Sequence, residues 1–187
     1  MTEYEKVLIE QCAPTLAGIK PASLFRICGG SLCSIQESIC QWDKQLRPLG
    51  IHSVVLKVCL KNLSYLVMIY REQWLRNIVA EEATWRFLSG LGYEQQELCY
   101  LFQRLSQRFC LESNCPHEVG IFLGYPLEDV LGFIAHKGHN FTCCGYWKCY
   151  GDPAAAQKCF DRYRKCTDLY KKRYQSGIPI IQLVVAA

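Results

Sequence analysis

The alternation of apolar and polar positions along the chain marks out its elements. Val7, Leu8 and Cys12 stand at helical spacing within residues 3–12, and Leu32, Ile35, Ile39, Trp42 and Leu46 do so within 32–47, where Pro48 and Gly50 end the pattern. Residues 23–28 form a short apolar run that reads as a first strand. Segments 52–60 and 65–70 are rich in Val, Leu, Ile and Tyr, and the residues between them suit a hairpin. Helices are predicted over 81–88 and 94–109, the second with Leu98, Leu101, Phe102, Leu105 and Phe109 on one face.

The stretch 117–134, HEVGIFLGYPLEDVLGFI, is the one around which the rest is organised. Residues 119–123 are wholly apolar, as in a strand buried on both faces. Gly124 breaks the run, Pro126 suits the first position of a helix, and Glu128 and Asp129 complement the helix dipole from its first turn. Val130, Phe133 and Ile134 give that helix an apolar face, and Gly138 is a stop after His136 and Lys137. Residues 144–150 read as a second buried strand, Asp152 and Pro153 as the cap and first position of the longest helix over 154–175, and 178–185 as an apolar strand or helix end. The pattern predicts an α/β fold, or an α+β one: a single domain over 1–187 with a mixed sheet of four to five strands flanked by helices.

Composition narrows the setting. A chain of 187 residues, half of them apolar, buries a core without covalent staples. Its first residues show no basic region followed by an apolar core, and no uncharged apolar run approaches the roughly eighteen residues of a membrane helix. The thirteen cysteines are odd in number and irregular in spacing, unlike a secreted disulfide framework, so mostly reduced thiols and a cytoplasmic location are expected. Cys59, Cys99, Cys159 and Cys166 fall in apolar-periodic segments and read as small buried hydrophobes. The net charge of +4 is concentrated in 158–173, where seven Lys or Arg face two Asp. There Phe160, Tyr163, Thr167, Tyr170 and Tyr174 form a stripe that reads as core, and Lys158, Arg162, Lys165 and Lys172 a solvated face. Specific nucleic-acid binding is not expected, since no recognised motif accompanies the charge, and neither is a membrane partner.

Three segments together, residues 12–25 (CAPTLAGIKPASLF), 117–134 and 145–152 (GYWKCYGD), followed by FDRYRKC over 160–166, resemble the bacterial domain-of-unknown-function family 3793 along almost the whole chain. The resemblance implies a bacterial cytoplasmic protein and a shared site region that includes Cys12, His117, Glu118, Gly124, Pro126 and Trp147, but no reaction. Cys28, Cys33, Cys40, Cys143, Cys144 and Cys149 depart from its pattern.

Four constellations carry chemistry. Cys12 lies before Pro14 at an expected helix start, a setting that favours thiolate, and with His117 and Glu118 it would make an activated nucleophile; the plainer reading is a capped turn and a hydrogen-bonded His. A strand over 119–123 would hold His117 more than about 15 Å from Gly124, which opposes the full trio. A small anionic or thiol-reactive ligand is therefore expected between the Cys12 loop and the Gly124–Pro126 turn. Pro14, Thr15, Lys20, Gly124, Tyr125, Glu128, Asp129, Tyr146 and Trp147 are its candidate binding residues. His136, His139, Cys143, Cys144 and Cys149 have zinc-ligand chemistry without zinc spacing, and adjacent residues of a strand point to opposite faces, so no metal is expected. Cys28-Gly29-Gly30-Ser31 offers glycines and a Ser31 cap that could cradle an anion at the next helix's N-terminus, but it lacks the full dinucleotide fingerprint and the P-loop lysine and reads more simply as a strand-to-helix turn. Tyr125, Phe141, Tyr146, Trp147 and Tyr150 crowd near the expected strand ends and read either as the wall of a pocket for a flat ligand or as core. Cofactor and oligomeric state stay open, and two further functions compete: an interaction or regulatory module using the basic helix, and a thiol-based metal or redox sensor.

Overall fold

The structure, a computed structural model, describes residues 2–28, 31–111 and 115–186. Its centre is a three-stranded antiparallel sheet in the order β1-β3-β2, built from β1 (Ala22–Cys28), β2 (Ile51–Cys59) and β3 (Ser64–Arg71). The β2–β3 hairpin and the first strand stand where the apolar pattern places them. Central β3 carries the run YLVMIY because both of its faces are covered. Phe25, Ile27, Val67 and Ile69 face one core, and Leu24, Leu66, Met68 and Tyr70 face the other, as the two-residue period of a strand requires. The register slips between Val55 and Lys57, and the Leu56 carbonyl in this bulge accepts from Ser106 Oγ at 2.7 Å.

The first core is closed by α1 (Glu3–Gln11), α2 (Ala13–Leu16), α3 (Leu32–Leu46), α9 (Pro153–Gln175) and α10 (Ile180–Leu183). The second is closed by α4 (Glu72–Ala80), α5 (Glu82–Gly90), α6 (Leu98–Leu111), α7 (Val119–Phe122) and α8 (Leu127–Ala135). The apolar pattern predicts no element over 72–80, but helix α4 forms there, following β3 with no turn residue between them and with no side-chain cap at Arg71 to announce it. The aromatic stripe of α9 is core at Phe160, Tyr163 and Tyr170. Asp152 caps that helix, accepting from Ala154 N and Ala155 N. Ser31 caps α3; Gly29 and Gly30, in the turn weighed as an anion cradle, lie outside the described residues.

Two expected strands are corrected. Residues 119–123 are buried on all sides, as the apolar run demands, but Val119–Phe122 is a short helix. A short apolar run has no periodicity to separate strand from helix, and in the helix Gly120 lets Val130 and Tyr125 close to within 3.0 Å of where a Cβ would stand. Residues 144–150 fold back on themselves: β4 (Cys143–Cys144) and β5 (Lys148–Cys149) form a two-stranded hairpin turned at Gly145, which lies so close to Phe160 of α9 that a Cβ would be 2.3 Å from its ring. The mixed helix-and-sheet class holds, but the single four-to-five-stranded mixed sheet is replaced by a three-stranded antiparallel sheet and this hairpin. The four cysteines expected inside are not all there: Cys99 is exposed, because it falls beside the Leu98, Leu101, Leu105 stripe, and Cys59, Cys159 and Cys166 are half-buried.

Candidate functional site

The joint between α7, α8 and the β4–β5 hairpin is organised by Asp129. This carboxylate, 3% exposed, accepts from Trp147 Nε1 at 2.7 Å, Tyr150 N at 2.6 Å and Gly151 N at 2.9 Å. Hydrogen bonds to a charged acceptor are the stronger kind, so three of them hold the hairpin firmly against the start of α8. Gly124 permits the preceding turn, at φ 76° and with Pro21 where a Cβ would be. Tyr125 follows, stacked on Trp147 with centroids 4.9 Å apart and donating its hydroxyl to the Tyr146 carbonyl at 3.1 Å. Burial, and then the nearby Cys115, push the Tyr125 phenol up to about 12.

These contacts leave a cavity of about 400 Å³. Tyr125, Trp147, Phe133 and His117 supply aromatic wall, and His117 packs edge-on to Phe133 at 4.9 Å. Two thiols, Cys115 and Cys144, open on it, together with Lys148. The Lys148 ammonium donates to the Gly138 carbonyl at 2.8 Å and lies 5.0 Å from the Phe141 ring centroid. Among the described residues it has no carboxylate partner. Asp129 also lines the cavity, but its oxygens are engaged with the hairpin. An apolar pocket with one lysine and few polar groups has the usual make-up of a small-molecule site.

The 12–21 segment meets this region without opening onto it. Pro21 touches Gly124, and Lys20 Nζ lies 5.8 Å from the Tyr125 ring and 5.9 Å from the Tyr163 ring. Burial pulls the Lys20 ammonium down to about 8, against the opposing pull of Cys12 and Cys159. Cys12 is wholly buried, and desolvation raises its thiol to about 12 with Lys20 only partly offsetting this. The thiolate expected there is therefore disfavoured: α2 is a single turn, and its dipole does not outweigh the loss of water. Pro14 and Thr15 are buried as well, and the Thr15 hydroxyl shares a hydrogen bond of 2.9 Å with Ser23.

His117 and Glu118 part company. Because 119–122 is helical rather than extended, His117 and Tyr125 share one cavity, and the separation expected from a strand does not arise. Glu118, 1% exposed, is ion-paired with Arg108 and accepts from the Tyr93 hydroxyl at 3.0 Å. It braces α7 against α6 and does not orient His117. Glu128 is exposed, its carboxylate against Gly151, and the Tyr146 ring packs edge-on to Tyr163 at 5.2 Å. The structure thus gathers His117, Tyr125, Asp129 and Trp147 into one site, leaves Cys12, Pro14, Thr15 and Glu118 in core, and adds Cys115, Phe133, Cys144 and Lys148. Of the aromatics crowded in the sequence, Tyr125, Phe141, Tyr146, Trp147 and Tyr150, the first and the fourth line the cavity. Cys143 turns toward α9 and Cys144 toward the cavity, on opposite faces of their strand. Among the described residues, no group of three or more His, Cys, Asp or Glu side chains is placed to hold a metal ion.

Fold and cavity define a mixed helix-and-sheet protein with a single-turn helix and a hairpin closing an aromatic pocket. The chain belongs to the family described as "Protein of unknown function (DUF3793)", whose profile matches residues 8–184. No curated protein and no solved structure matches it. Among the described residues, no helix is long and apolar enough to cross a membrane.

Proposed function

We propose that this is a small-molecule-binding protein of the bacterial cytoplasm, whose cavity between α7, α8 and the β4–β5 hairpin takes a flat ligand with an anionic group. The observation that carries the reading is Lys148, which lines an aromatic cavity and whose ammonium has no carboxylate partner among the described residues. A planar ring would lie against Tyr125, Phe133 and Trp147, and its carboxylate, sulfonate or phosphate would supply a counter-charge to Lys148. The site first expected between the Cys12 loop and the Gly124 turn moves across Tyr125 to the side that is open. Cytoplasmic placement is supported by the odd number and irregular spacing of the thirteen cysteines, unlike a secreted disulfide framework.

Titration with anilinonaphthalene sulfonate, a flat fluorescent anion, tests this. Saturable one-site binding is expected, weakened about tenfold by Lys148→Met, as loss of one partly buried charge contact would give. Non-saturating binding that Lys148→Met and Trp147→Ala leave unchanged would refute it.

A further inference from the structure

Cys144 and Lys148 are direct partners across the β4–β5 hairpin. Side chains of such a pair lie on the same face with Cβ atoms about 5 Å apart. The face they share is the cavity face, since both residues line it, whereas the neighbouring pair Cys143 and Cys149 turns into the small core against α9. An anion drawn to Lys148 is therefore held on the face that carries the Cys144 sulfur. Cys115 opens on the same cavity, as does the His117 imidazole. Two thiols of exposed residues, one lysine and one imidazole thus line an aromatic pocket, while the two buried cysteines, Cys12 and Cys149, are kept out of it.

We propose that the cavity is a thiol–disulfide exchange site for flat, carboxylate-bearing low-molecular-weight disulfides, with Cys144 as the attacking thiol. The proposal rests on the ligand-binding reading and deepens it by naming the ligand class. In the first step the Cys144 Sγ–S bond forms as the ligand's S–S bond breaks. The electron pair leaves with one RS⁻, and the proton of Cys144 passes through the His117 imidazole to that thiolate. In the second, Cys115 attacks Cys144 Sγ, the mixed disulfide bond breaks, and the second RS⁻ leaves with the Cys115 proton. Two protein thiols are oxidised and one disulfide is reduced to two thiols. The acceleration comes from binding: Lys148 and the rings hold the disulfide next to the sulfur, which turns a bimolecular encounter into a step within a complex.

The chain supplies its own controls, because Cys33 and Cys40 are exposed on α3, on the other side of the sheet. The reduced protein is mixed with sub-stoichiometric dithiobis(nitrobenzoate), and the modified residue is located by mass spectrometry. Modification of Cys144, or a Cys115–Cys144 disulfide, is expected at least about tenfold faster than modification of Cys33 or Cys40. The rate should saturate with reagent concentration. Lys148→Met should abolish the saturation, and neutral iodoacetamide should show no preference. Cys144→Ser, at an exposed position, should remove the fast phase while the fold is retained. A rate linear in reagent, with labelling spread over the exposed thiols, overturns the proposal. Unreactive nitrobenzoate separates the two ideas: if it binds while exchange stays linear and unselective, the binding reading stands and the exchange reading falls; if it does not bind either, both fall.

Discussion

Segments 12–21 and 115–151 are both dense in residues that do chemistry, yet one is sealed and the other open. In the first, Cys12, Thr15 and Lys20 are buried, and the Thr15 and Leu16 carbonyls are taken by Arg71, which also holds the Val185 carbonyl and so ties the C-terminal segment down. In the second, His117, Cys144 and Lys148 surround an accessible cavity. Residue type alone does not separate them. Burial raises the thiol of Cys12 and lowers the amine of Lys20, so each is driven to its neutral form by the same loss of water. The difference lies in what covers each turn: α9 and α10 lie over the first, and a two-stranded hairpin that leaves a gap lies beside the second.

The largest expected effect is on thiol reactivity. Native Cys12 should react with iodoacetamide more than about a thousandfold slower than Cys144, since its exposure needs local unfolding of a buried segment. Residue-resolved alkylation reads this, and comparable rates would erase the distinction between the regions.

Next come two buried carboxylates that differ in partner. Glu118→Ala removes the ion-pair partner of Arg108 and should cost about 4 kcal/mol in urea unfolding. Asp129→Ala should cost less, about 3 kcal/mol, since its donors Trp147, Tyr150 and Gly151 are uncharged and can turn to water. Only the second should abolish ligand binding, and equal binding losses in the two variants would deny Asp129 its role in shaping the cavity.

A smaller effect belongs to the joint between the regions. In Gly124→Ala a Cβ would stand 2.2 Å from Pro21 Cγ at a φ of 76°, so a cost of about 2 kcal/mol is expected. Unfolding at neutral pH measures it, and an unchanged midpoint would show that the two segments do not press on each other.

The smallest change is a gain. The folded protein holds Lys20 at about 8 against 10.5 for an ordinary lysine, so between these values the unfolded chain binds more protons. Below about 8 both states are charged and folding carries the full cost of burying the ammonium; as pH rises toward 10.5 that cost is relieved, so this contribution to stability increases with pH. Lys20→Met should therefore be more stable than the native chain by about 1 to 2 kcal/mol at pH 7, with the gap closing by the upper end of the window. A destabilised variant at pH 7 would mean that the ammonium has a partner within the fold.

Much was legible where periodicity was long. The 15 residues of α3, the 23 of α9 and the β2–β3 hairpin carry repeats that only one element type satisfies. Two short runs misled. Residues 119–123 are apolar at every position, so they announce burial and nothing more, and 144–150 hides its turn because Gly145 is one glycine among aromatics. The misread helix also split the candidate site, since extended geometry held His117 away from Tyr125 when one turn of helix brings them to the same cavity.

The sequence by itself determined the identity of the long elements, the caps at Asp152 and Ser31, the inward face of α9 and the aromatic residues available for a wall. These follow from neighbours a few positions apart, whose spacing is set by backbone geometry. Which residues reach a ligand was decided only by the tertiary structure. The sealing of Cys12, the diversion of Glu118 to Arg108, the grip of Asp129 on a hairpin some twenty residues away and the pairing of Cys144 with Lys148 each depend on which elements dock and how closely. Solvent access and counter-charge are properties of that docking, and no local pattern of residues encodes them.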